Sequence, residues 1–228
     1  AHLLATSPPT HLPTGEPGET LPLDAAWDAV RDALLRGLTH ALSNRVMAIS
    51  TLAELSVEAP LTGTTADVLS SEARRLDALL HQFRLLSPPP PAPPEPSNVA
   101  DTLPSLVEFA GRHPEVAGMP CDIRVTANVQ PAFIDAAILG RAVPVLLVAT
   151  TRAARRVGVS RVQIDVVGDA HWVVVRFAVG EAGDGPSGDA PHGSPTMQIT
   201  DTAQGARYEL LLPTLAAARR ATGHPVRR

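Results

Sequence analysis

From Pro88 to Pro96 the chain reads Pro-Pro-Pro-Pro-Ala-Pro-Pro-Glu-Pro, and no other stretch restricts the fold so severely. Each proline lacks a backbone N–H and holds φ at about −65°, so neither a helix nor a central strand can pass through. An extended polyproline II segment is the expected result, stiff enough to act as a spacer. Residues 88–97 are therefore read as a linker between two differently built parts.

Ahead of the linker, residues 1–20 are rich in Pro, Thr and Gly and show no period, as in a flexible lead-in. Regular structure is expected from Leu21, because Pro22 suits a first helical turn and Asp24 and Asp28 suit the positive helix N-terminus. Val30, Leu34, Leu38, Leu42, Ile49 and Leu52 recur at three- and four-residue steps as a buried stripe. One helix to about Ser56 follows, roughly 50 Å long. Pro60 and Gly63 break it. Thr64 and Asp67 then resemble a capping box, and Leu69, Ala73, Leu76, Leu80, Phe83 and Leu86 give a second helix its stripe. Residues 21–87 thus read as a helical hairpin. Two helices of this length cannot cover each other's apolar faces, so a four-helix bundle formed by two chains is expected, ahead of a bundle completed by later helices of one chain.

The opposite face of the first helix carries the chemistry. His40 lies about half a turn from Leu38 and Leu42 and faces outward, with Arg36 one turn below and Asn44 one turn above on the same side. This face can present an imidazole to a partner.

Beyond the linker, residues 98–228 change character. Val99 to Arg112 reads as a helix whose regular part begins as late as Pro104. Residues 121–129 alternate as a half-buried strand, and Asp135 to Arg156 form an apolar helix that Pro144 must kink or divide. Arg161 to Val167 and Trp172 to Val179 alternate as two strands. Gly180 to Thr196 reads as a loop, Ala206 to Leu212 as a last strand, and a short Ala/Arg-rich helix follows. This order gives an α/β sandwich, helices on one face of a mixed sheet, and an α+β chain as a whole.

Composition removes several classes. No apolar run reaches the ~18 residues of a membrane span, and no secretory pattern opens the chain. A net charge of −4, pI near 6.1 and 3% aromatic residues do not suit a nucleic-acid binder. The lone Cys121 forms no intramolecular disulfide. A cytoplasmic location is expected.

A helical hairpin with an outward His, followed by a small sandwich in this order, resembles the dimerisation and ATP-binding core of the sensor histidine kinases of bacterial two-component systems. His40, Leu42, Asn44 and Val46 match the phosphoacceptor box, and Leu146 to Thr150 and Tyr208 to Pro213 match in pattern. The family's acidic residue after the His is Ala41 here, and its magnesium-holding Asn aligns with Ala149, whose methyl group cannot ligate a cation. The adenine-binding box survives at best as Glu181-Ala182-Gly183-Asp184-Gly185, and the second glycine-rich box has no counterpart before Arg207. ATP chemistry loses its electrostatics without these groups.

What remains resembles the degenerate, ChpT-like histidine phosphotransferases, dimers that carry phosphate between receiver domains. The resemblance implies His40 as nucleophile and carrier, Arg36 as a charge neutralising the phosphoryl group, and Asn44 as a water-orienting amide. It implies no cofactor of its own, since Mg²⁺ is supplied at the partner receiver domain. The implied partners are response regulator receivers, an upstream histidine kinase and a second copy of the chain. A non-catalytic dimeric scaffold and a residual kinase or receiver phosphatase are the other readings. His81, on the second helix, receives no role, and Trp27 and Trp172 are read as core or interface.

Overall fold

Two long helices, α1 (Leu23–Glu58) and α2 (Gly63–Leu86), pack side by side as the expected hairpin in the computed structural model, which describes residues 23–58, 63–87, 92–180, 195–202 and 205–221. The lead-in, Pro88 to Pro91 and the Glu181 to Gly185 stretch lie outside the described residues.

The apolar stripe of α1 divides in two. Ala26, Trp27, Val30, Leu34 and Leu38 are buried, whereas Leu42, Ile49 and Leu52 are only half-buried. The reason is that the first half of α1 packs against α4 (Ala136–Arg156). Arg141 on α4 fixes the start of α1 through a 2.7 Å ion pair with Asp24. Leu34 and Leu38, fully covered, each contribute roughly 2 kcal/mol by leaving water. Past Leu38 the hairpin leaves the sandwich, and Val46, Met47 and Leu55 stand 49%, 67% and 58% exposed.

The linker does not remain an unpaired spacer. Glu95–Ser97 forms a short strand, β1, antiparallel to β3 (Ala132–Ile134), with Pro96 opposite Phe133. A two-stranded ribbon tolerates a proline that a central strand would exclude. Helix α3 (Val99–Ala110) follows at once, because the Asn98 side chain caps it by accepting from the Ala100 N–H at 3.2 Å. It starts five residues before Pro104 and stops short of Arg112. Helix α4 likewise starts on a cap, Asp135, and continues through Pro144 as one helix, so the proline does not start a new one.

The main sheet has the order β2-β4-β5-β7-β6, built from β2 (Cys121–Val125), β4 (Val162–Gly168), β5 (Trp172–Gly180), β6 (Thr196–Thr202) and β7 (Gly205–Pro213). Only the β2 and β4 pair is parallel. Strand β2 ends at Val125 instead of 129, since Asn128 takes a positive φ of 64° that no strand allows. Strand β6 begins at Thr196, where the sequence reads as the end of a loop. Helices α3 and α4 cover one face of the sheet, and α5 (Leu215–Ala221) is the last described element, beside β7. By length and composition α4 resembles a membrane span, yet 67% of its most apolar window is buried in the fold. It is the core helix.

Candidate functional site

Arg36, His40 and Asn44 occupy successive turns of α1 and are all exposed, as their spacing requires. The Asn44 Nδ2 lies 3.3 Å from His40 Nε2. When the amide donates in this contact, Nε2 accepts and the ring proton sits on Nδ1. That tautomer leaves the lone pair on Nε2, which is what a nucleophilic imidazole needs.

A cleft of about 590 Å³ opens beside this nitrogen. One wall is α1, from Arg36 to Arg45; the other is the turn after α3, with Gly111, Arg112 and Pro114. Sequence reasoning missed this second wall, and with it Arg112, because nothing local connects residue 112 to residue 40. Gly37 brings the walls together. A β-carbon there would overlap the Arg112 carbonyl oxygen, so the helix carries a glycine where its backbone must touch another.

Three arginines line the cleft, and two have their guanidinium groups held in place. Arg45 Nη1 donates to Glu72 of α2 at 3.0 Å, and Arg75 holds the other carboxylate oxygen of Glu72 at 2.5 Å. The hydrogen bond from Arg45, with that from Arg75, pulls the carboxyl of this buried glutamate below its usual range. Arg112 donates from Nε to Gln82 at 3.1 Å and from Nη2 to Glu108 at 3.3 Å, which links α2 to the end of α3. Arg36 forms no ion pair among the described residues. Three arginines on the walls of the cleft that His40 lines, two of them shared with Glu72 and Glu108, suit an anionic group.

Under the second wall lies His113, 4% exposed. Its Nδ1 accepts the Glu115 N–H at 3.2 Å, and Arg152 of α4 grips Glu115 through two 2.7 Å bonds. Burial above all lowers the His113 pKa from 6.5 to about 4; Arg152 and Arg36 push the same way and Glu115 opposes them. The neutral ring is the folded form. In an unfolded chain it binds a proton below 6.5, so its contribution is complete above that pH and is lost as pH falls toward 4. The loss is on the order of 3 kcal/mol. Urea unfolding from pH 7 to 4 is expected to show this slope above the carboxylate range. His113→Asn, which keeps an acceptor near Nδ1, is expected to flatten it, and an unchanged slope would assign the effect elsewhere.

No protein-family model matches the sequence, and no curated protein matches it. Among solved structures the chain is similar to the Acinetobacter baumannii histidine kinase AdeS, at 10% identity and a TM-score of 0.41, over 77% of this chain and 98% of that one. It is also similar to a bacterial phosphotransferase, at 13% identity and a TM-score of 0.39, over 86% of this chain and 100% of that one.

Proposed function

We propose that this chain is a histidine phosphotransferase of a two-component phosphorelay, with His40 as the phosphoryl carrier. The observation that carries the reading is the exposed His40, its Nε2 3.3 Å from the Asn44 amide, on a cleft also lined by Arg36, Arg45 and Arg112. In the forward step the Nε2 lone pair attacks the phosphorus of a receiver's aspartyl phosphate. A P–N bond forms, the acyl P–O bond breaks, and the aspartate leaves as carboxylate while Nδ1 keeps its proton. The reverse step loads a second receiver. Arginines around the transferring group neutralise charge that grows on its oxygens.

Asn44 must release Nε2 before the attack, and afterwards its amide is placed to hold a water, the role a receiver phosphatase would use. On this reading the chain needs no nucleotide or metal of its own; Mg²⁺ stays with the receiver, and an upstream histidine kinase starts the relay. Its site is cytoplasmic. The deciding experiment is incubation with ³²P-labelled receivers and, separately, with labelled ATP. Label is expected from the receivers and not from ATP.

A homodimer belongs to the same proposal. The projecting half of the hairpin leaves Val46, Met47, Leu55 and Val68 exposed, an apolar surface that a second copy would cover. Leu42→Glu or Leu76→Glu is expected to halve the mass seen by light scattering, because each would place an unpaired charge in the bundle. A wild-type monomer at micromolar concentration would remove the bundle from the proposal.

A scaffold that binds receivers without accepting phosphate is the second reading. Ala41 favours it, since the acidic neighbour that assists the imidazole in kinases is missing.

A further inference from the structure

A second cavity, of about 490 Å³, lies between α2, β1, α3 and the start of α4. Its volume falls in the range that small organic ligands occupy. Leu85, Leu106 and Leu139 give it an apolar floor. Four of the polar residues around that floor offer only acceptors. Thr102 Oγ1 spends its proton on the carbonyls of Asn98 and Val99, and Ser105 Oγ spends its own on Thr102. Only their lone pairs remain for a ligand. Asp77 has no ion pair or hydrogen bond among the described residues. Glu108 takes both of its bonds, from Gln82 and Arg112, on Oε1, leaving Oε2 free.

An apolar floor beneath two carboxylates and a set of unused acceptors suits one kind of molecule. We propose that this cavity binds a small organic cation, an amine or amidine on an apolar body, with the body over Leu85, Leu106 and Leu139 and the cation between Asp77 and Glu108. An anion would meet two carboxylates, one of them shared with Arg112, with only the Ser97 hydroxyl, His81 and the second Gln82 N–H to receive it. The site stands apart from phosphotransfer, and it holds whether or not His40 is ever labelled. It does share parts with the His40 cleft, because Gln82 and Glu108 line this cavity and also hold Arg112, which lines the other.

The test is a titration of the ¹³C-methyl-labelled full chain with phenethylamine, and with phenylacetate as the same body bearing the opposite charge. Leucine methyl signals of residues 85, 106 and 139 are expected to shift together and saturate, with a Kd on the order of 1 mM for so small a probe. Phenylacetate is expected to leave them in place. The Asp77→Asn, Glu108→Gln double variant should weaken phenethylamine about tenfold. Should that variant fold poorly, Ala78→Phe, at an exposed position lining the cavity, should fill the space and abolish the shifts. Shifts that never saturate, equal binding of phenylacetate, or binding undisturbed by Ala78→Phe would each overturn the proposal.

Discussion

His40→Ala is expected to lose all label transferred from a phosphorylated receiver while keeping its fold and its association state. The side chain is exposed, and its one polar contact among the described residues is with Asn44, one turn along the same helix. Alanine is the best helix former, so its stability cost there is small. Asn44→Ala separates two roles. It frees the Nε2 lone pair, so acceptance of phosphate should be preserved, while hydrolysis of the receiver's acyl phosphate slows for want of a water-holding amide. A His40→Ala protein labelled at the wild-type rate would end the phosphotransfer reading. Wild-type protein that binds a receiver tightly yet is never labelled would establish the scaffold instead.

The second large effect is expected at Gly37, and its sign opposes helix propensity. In an ordinary helix interior, Gly→Ala stabilises by about 1 kcal/mol. Here the new methyl group meets the Arg112 carbonyl, a backbone atom that cannot rotate away. Overpacking of this kind costs about 1–3 kcal/mol, and Gly37→Val should cost more. Urea unfolding reads the loss, and the label rate should fall with it, because the displaced turn carries Arg112 away from His40. A raised midpoint for Gly37→Ala would show that the turn yields freely.

The hairpin and the exposed face of α1 were legible because helical periodicity is a local property: Arg36, His40 and Asn44 stand four residues apart, and spacing alone puts them together. What escaped was everything set by distant partners. The stripe from Val30 to Leu52 is continuous in sequence, and the docking of α4 makes its first half core and leaves its second half half-buried. Strand β3 is three residues long, and β1 contains a proline. Strand β6, Thr-Met-Gln-Ile-Thr-Asp-Thr, has only two apolar residues and exists through its pairing with β7. The site shows the same division, for a helix-interior glycine signals weakness until Arg112 is placed against it.

The uneven burial of α1 also makes the helix a beam clamped at one end. Its root is gripped by α4 and by the turn at Arg112, and the remaining twenty or so residues project about 30 Å. In a cantilever the tip sways most and the root hardly moves. His40 is seated one turn past Gly37, at the clamp. By that geometry, bending of the projecting end would displace the imidazole least relative to Arg112, because the nucleophile sits at the root and not on the projecting part.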